Sequence, residues 1–262
     1  MMQDYSGICY VNTFLSQVII RIDFLQYLQS EAIFNADIEK EILSIYPKRA
    51  PDQLIRFNSI NVTFDNTAQT PNAQGHVIDG IQREYRTTSG NNKTILSNKF
   101  IVFEINQYTS YAEHMAGIKN ILTKLYSRNN ITAVRVGIRF INIYNSEKTK
   151  IQKNFFSPEI AASIISPSKT DLQSKAQLIR SMHMSEYDVN TMRLNFRYGM
   201  YNPSFPDILR KNDFVLDFDC YTEDATDSLE EVLQHIDMGH QAIQSLFESS
   251  ITDALRKVMQ SD

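Results

Sequence analysis

The sequence predicts an α+β protein, with a mostly antiparallel sheet covered on one face by helices. Three observations predict it. Alternation of apolar and polar residues recurs from Ser16–Phe24 to Phe214–Tyr221, the signature of half-buried strands. Short turns such as Ser89-Gly90-Asn91-Asn92 join consecutive strands, which pairs them antiparallel. Amphipathic stripes at helical spacing interrupt the strands, and such helices cover a sheet by burying their apolar side on it.

Ser16–Phe24 opens the series, with Val18, Ile20, Ile22 and Phe24 on one side. Asp37–Tyr46 carries Ile38, Ile42 and Ile45 at helical spacing, and Pro47 stops it. Leu54–Phe64 and His76–Thr88 read as strands around a polar loop at Asn66–Gly75. Lys93–Asn98 and Lys99–Gln107 are two more strands. Tyr111–Ser127 is a helix with the stripe Tyr111, Met115, Ile118, Ile121, Leu122 and Leu125, opened by the capping box Ser110-Tyr111-Ala112-Glu113. In the long strand Ile131–Tyr144, Val134, Val136, Ile138 and Phe140 face the core, while Arg135, Gly137 and Arg139 face away. Lys148–Lys175, broken by Ser-Pro steps, is a connector with one short helix. Strands at Lys175–Glu186 and Thr191–Met200 follow, joined by Tyr187–Asn190. After a loop at Tyr201–Asn212 and a strand at Phe214–Tyr221, a long helix starts near Ser228 and breaks near Ser250. The expected organisation is an N-terminal α+β half over 1–147, a connector over 148–174 and a C-terminal half over 175–262. One compact domain, or two ferredoxin-like or helix-grip halves sharing a sheet, both fit that order.

Composition sets outer bounds. The chain has 262 residues, 42% hydrophobic and 21% charged, with a formal charge of −4, which is ordinary for a globular protein. No long apolar run or secretory leader is read, and Cys9 and Cys220 are isolated thiols, so the expected location is a reducing cytoplasm. Acidic residues concentrate at the end: Glu223–Asp262 holds nine acidic and two basic residues. That segment is either a solvated helix face or a docking surface for a basic partner. The net charge argues against indiscriminate nucleic-acid binding.

Three segments carry a resemblance: Arg135-Val136-Gly137-Ile138-Arg139-Phe140-Ile141-Asn142; Leu216-Asp217-Phe218-Asp219; and His240 followed by Phe247, Ile251-Thr252, Leu255 and Met259. Together they resemble a sporadically distributed bacterial family of unknown function, which has an Arg-x-Gly-x-Arg-(Phe/Tyr)-Ile-Asn strand and a helical C-terminus. The chain departs from it at Asn12-Thr13-Phe14-Leu15, where the family often carries Pro-Pro. The resemblance implies a bacterial cytoplasmic protein from accessory gene neighbourhoods and supplies no established active site.

Two constellations carry candidate chemistry. Arg135 and Arg139 flank Gly137 on one strand face, where two guanidinium groups can clamp a phosphate or carboxylate and a missing side chain lets a ligand approach. Arg193 and Arg197 extend the cationic set, and with Phe196 and Tyr198 they also suit a base-stacking platform. The alternative is structural: arginines matched across the sheet by Asp217, Asp219 or Glu104. Asp217 and Asp219, two apart on a strand, share a face and suit Mg²⁺ or Mn²⁺, or else form salt bridges. The histidines are His76, His114, His183, His235 and His240, without metal-binding spacing. His235 and His240 diverge by about 140° on a helix. His240 reads as a packed histidine of the apolar stripe.

The expected function is a non-enzymatic binding or regulatory module of a bacterial accessory system, defence or toxin–antitoxin-like. It would bind a protein partner, through the acidic C-terminal helix among other surfaces, or a small anionic ligand at Arg135, Gly137, Arg139, Arg193 and Arg197. No cofactor and no membrane are expected. Two alternatives stand beside it. One is a metal-dependent enzyme on nucleic acid or nucleotide phosphates, using Asp217 and Asp219 with Mg²⁺. The other is a double ferredoxin-like RNA binder resembling CRISPR processing proteins, without their Gly-rich loop.

Overall fold

Strand β1 (Leu15–Phe24) sets the pattern for the whole molecule. Val18, Ile20, Ile22 and Phe24 are fully buried, whereas Gln17, Ile19, Arg21 and Asp23 on the other side keep contact with solvent. The sheet therefore has one face in the core and one face free. The structure is a computed structural model, and it describes residues 10–63, 72–145, 151–164, 178–211 and 213–260.

The chain continues through α1 (Ser30–Ile33), α2 (Ala36–Ile45), β2 (Lys48–Arg49), β3 (Gln53–Thr63), β4 (Asn72–Arg86), β5 (Asn92–Ser97) and β6 (Phe100–Ile105). Helix α3 (Tyr111–Arg128) leads to β7 (Ala133–Tyr144), a 3₁₀ turn at Lys153–Phe155, and α4 (Pro158–Ala162). Then come β8 (Ser181–Val189), β9 (Met192–Met200), β10 (Phe214–Thr222), α5 (Leu229–Ser250) and α6 (Asp253–Gln260). The ten strands form one sheet in the order β2-β4-β5-β6-β1-β7-β10-β9-β8, with β3 also paired to β4, and every pairing is antiparallel. β1 lies between β6 and β7, so the β6–α3–β7 connection is a crossover over one intervening strand. β7 joins the sequence halves, pairing with β1 on one edge and β10 on the other.

The predicted α+β class is the observed one. Ser110 and Ser228 cap α3 and α5, each side chain accepting from the amide three residues on. Ile118, Ile121, Leu122 and Leu125 of α3 and Val232, Ile236 and Ile243 of α5 are buried. α5 packs on β7, β10 and β9. Its approach is close at Gly239, where an added Cβ would lie 2.7 Å from Ile138 Cγ2.

Several boundaries differ from expectation. Strand β4 begins at Asn72, inside the predicted polar loop, because Asn72–Gln82 is paired along the whole of β3. The β8–β9 turn is Asn190-Thr191, not Tyr187–Asn190, since Val189 and Met192 are partners and Asn190 takes the turn at φ 56°. α1 and β2 are additional elements. Residues 66–71, 146–150 and 165–177 of the predicted loop and connector lie outside the described residues, as does Cys9. Cys220 is a buried free thiol pushed up to about 12 by burial.

Candidate functional site

The free face of the sheet carries the residues singled out from sequence. Register places Asp219 opposite Arg139 and Tyr221 opposite Gly137 on β7. On β9 it places Arg197 opposite Asp217, Asn195 opposite Asp219 and Arg193 opposite Tyr221. Directly opposite residues share a face, so Arg135, Gly137, Arg139, Arg193, Arg197, Asp217 and Asp219 form one patch on three adjacent strands.

Within that patch the cations are unequally engaged. Arg139 donates to both oxygens of Asp217, Nε to Oδ1 at 2.7 Å and Nη2 to Oδ2 at 2.7 Å, the bidentate fork of a strong ion pair. That hydrogen bond raises the Arg139 pKa against the opposing effect of burial. Arg197 Nη1 stands 3.5 Å from the same Oδ2. Asp217 is thus held by two guanidinium groups, and its side chain is only 9% exposed. Arg135 lies over the Tyr221 ring at 4.1 Å, a cation–π contact. Gly137 makes room for that stack: a Cβ there would sit 3.2 Å from Tyr221 Cβ and 4.0 Å from Arg135 Nε. Arg193 is exposed, and neither it nor Arg135 forms an ion pair among the described residues.

Asp219 is half-buried, without a direct hydrogen-bond or ion-pair partner among the described residues. Desolvation raises its pKa, opposed by the charges of Arg135, Arg139 and Arg197 and reinforced by Asp217. Beside it, Asn195 is buried and its Oδ1 accepts no hydrogen bond from any described residue. Asp217 and Asp219 share a face as the spacing predicts, but Arg139 occupies both oxygens of Asp217. Among the described residues no group of three or more His, Cys, Asp or Glu side chains is arranged to hold a metal ion.

Charges around the patch balance it. Arg21 pairs with Asp23 on β1 at 2.6 Å, and Lys93 pairs with Glu104 at 3.2 Å. On β8, Glu186 and Asp188 stand opposite Asn195 and Arg193. The acidic C-terminal segment is engaged inside the protein at Glu231, Asp237 and Glu248, while Glu223, Asp224, Asp227 and Glu230 are exposed. Glu231 accepts from Thr226, Asp237 accepts from Tyr111, and Glu248 is buried against Tyr10 and Arg256.

Sequence reasoning missed the sheet's end. Six of the eleven exposed large apolar side chains found among the described residues belong to β8 and its surroundings: Ile179, Met182, Met184, Tyr187, Phe205 and Ile208. They form one region because the loop after β9 is tied to the chain before β8. Leu209 N–H donates to Leu178 O at 2.8 Å, Asn202 Nδ2 donates to Ile179 O at 2.9 Å, and Arg180 lies 4.5 Å over the Phe205 ring. Such side chains belong in a strand pattern wherever it lies, so only the strand order identifies them as exposed.

The fold and its surface define an α+β protein with one helix-covered sheet face, one free ionic face and an apolar edge. The sequence matches no protein-family model and no curated protein. No helix among the described residues is long and apolar enough to cross a membrane.

Proposed function

We propose that this protein is a non-enzymatic binding module whose partner is another protein, docked as an extended segment along β8. The concentration of exposed apolar side chains on that one edge carries the reading. β8 ends the strand order among the described residues, which leaves one side of its backbone for a further strand. Its first half, Ser181–Ser185, contains no Asp, Glu, Lys or Arg, the residues that ordinarily guard an edge. Met182 and Met184 project on the free sheet face, next to Arg197 and the cation-bearing strand β9, and Tyr187 projects on the other. Arg, Met and Tyr are the residue types enriched where proteins meet. The balanced charge of the neighbouring face suits a partner of mixed charge better than a polyanion.

The test is photo-crosslinking in the cells of origin from residues placed at Met184 and Tyr187, followed by reconstitution with the identified partner in purified form. Met184→Lys and Tyr187→Lys should leave the melting temperature unchanged and weaken the reconstituted complex at least about tenfold, the expected scale for lost interface anchors. Equal affinity of the variants would overturn the assignment of β8. Concentration-dependent dimerisation abolished by the same variants would make the partner a second copy of the chain instead. Turnover of RNA, DNA or nucleotides with Mg²⁺ or Mn²⁺, lost in Asp217→Ala, would overturn the non-enzymatic reading.

A further inference from the structure

A cavity of about 640 Å³ lies on the helix-covered side of the sheet, away from β8. Its walls are the chain at Tyr10–Leu15, strand β7, the N-terminal end of α3 and the C-terminal half of α5. This volume is in the range of small-molecule pockets. Six aromatic rings line it: Tyr10, Tyr108, Tyr111, Phe140, His240 and Phe247. Ring contacts join them in two groups. Tyr111 stacks on His240 at 3.8 Å and 8°, Phe140 meets His240 at 5.8 Å and Tyr108 at 5.9 Å, and Tyr10 meets Phe247 at 6.5 Å.

The charges of the lining have one sign. Asp237 and Glu248 line the cavity, and among the described residues no Lys or Arg does. Glu248 is buried and neutralised, accepting from Arg256 Nε at 2.9 Å and from the Tyr10 hydroxyl at 2.8 Å. Asp237 is exposed and accepts the Tyr111 hydroxyl at 2.5 Å, and it forms no ion pair among the described residues. Burial holds His240 neutral at physiological pH, with a pKa lowered to about 4. Asn142, only 6% exposed, adds an amide to the lining.

We propose that this cavity binds a small organic cation, an ammonium group carried on an apolar body. Aromatic faces present negative quadrupole density to a cation, and Tyr111, Tyr108 and Phe140 supply such faces near the Asp237 carboxylate. Ile243 and Phe247 give the apolar body a surface, and Asn142 offers an amide to a polar substituent on it. An anion would meet the Asp237 carboxylate, which has no ion-pair partner among the described residues, so the same lining disfavours it. This site is independent of the β8 edge, and either assignment stands if the other fails.

The test uses three probes of similar size and different charge: benzyltrimethylammonium, benzyl alcohol and benzenesulfonate, titrated by calorimetry into the full chain. The cation should bind, and it should bind more tightly than the alcohol, with the sulfonate weakest. Asp237→Asn keeps an acceptor for the Tyr111 hydroxyl and should weaken the cation about tenfold while leaving the alcohol unchanged. Asn142→Leu, a second variant at the lining, should alter the affinity for ammonium probes carrying a hydroxyl and spare benzyltrimethylammonium. Absence of cation binding at millimolar concentration, equal affinity for the three probes, or full affinity in Asp237→Asn would overturn the proposal.

Discussion

Replacing Asp217 with asparagine keeps the side-chain volume and removes the charge that two arginines converge on. The wild-type carboxylate takes two 2.7 Å hydrogen bonds from Arg139 and has Arg197 at 3.5 Å. An asparagine can accept from one of these donors only, and its own amide hydrogens then face a guanidinium group. Breaking a fully buried ion pair by removing one partner costs about 3–5 kcal/mol. Here the stranded cation is not fully buried: the Arg139 side chain keeps 33% of its surface exposed and can recover part of its hydration. The expected loss is therefore about 2 kcal/mol, which for a chain of this size lowers the melting temperature by about 4–8 °C. Urea unfolding of wild type, Asp217→Asn, Arg139→Met and the double variant closes a double-mutant cycle. The double variant should lose at least about 1 kcal/mol less than the two single losses added together, because each single variant strands a charge and the double strands neither. An Asp217→Asn protein within about 0.5 kcal/mol of wild type, or a strictly additive cycle, would refute the view that this pair is a matched structural unit.

Three further expectations follow from neighbouring geometry. Asp219 has a raised pKa from desolvation, so its charged form opposes folding at neutral pH. Asp219→Asn should be more stable than wild type at pH 7, and the gain should vanish as pH falls through the raised pKa towards the unfolded value of 3.8, as measured by denaturant unfolding across pH. His240 has the opposite chemistry, a base held neutral by burial, with its pKa lowered from 6.5 to about 4. The unfolded chain takes up that proton first, so stability should drain away between pH 6.5 and about 4 by up to about 3 kcal/mol, and His240→Phe should lack this component. Gly199 sits at φ +151°, and a Cβ there would overlap the carbonyl oxygen of Ser181. Gly199→Ala should detach the β8 end of the sheet, seen as lost amide protection in β8 with β1 and β7 still protected.

Local features were legible in the sequence where a short-range rule fixes them. Ser110 and Ser228 announce their helices because a side-chain cap acts within one turn. β7 reads correctly because its alternation spans the whole strand between a core and a solvent face. α1 is a single turn without a side-chain cap, too short for any periodicity. β2 is a strand only because Arg86 and Tyr85 lie beside it. The start of β4 is polar and Gly-containing like a loop, and it is ordered by pairing with β3. The candidate sites divide the same way. Arg135, Gly137, Arg139, Asp217 and Asp219 were placed on strand faces by two-residue spacing, but their mutual matching depends on β7 lying next to β10. The apolar edge was invisible because Met182 and Met184 look the same in a central strand. The cavity needed Tyr111 and Asp237, 126 positions apart, to meet. Its only sequence signal is that a tyrosine and a histidine, both with polar ends, occupy helix stripes otherwise filled by aliphatic residues.

β7 explains why one sheet can carry chemistry on both sides. Its odd positions hold Arg135, Gly137 and Arg139 on the free face, and its even positions hold Phe140, Asn142 and Tyr144 beneath the helices. A one-residue register slip against β1 or β10 would bury the arginines and expose the aromatic residues. The Arg139–Asp217 pair resists such a slip, since only the observed register brings both guanidinium nitrogens onto the two oxygens of Asp217. The Arg139–Asp217 pair thus fixes register, while the two proposed binding surfaces lie elsewhere: at β8, the last strand of the order among the described residues, and in the cavity that Asn142 helps line. That division also accounts for the chemistry of each place. Arg139, already matched by Asp217, has little left to offer a ligand, whereas a strand with no further strand beside it among the described residues gains when something else completes it.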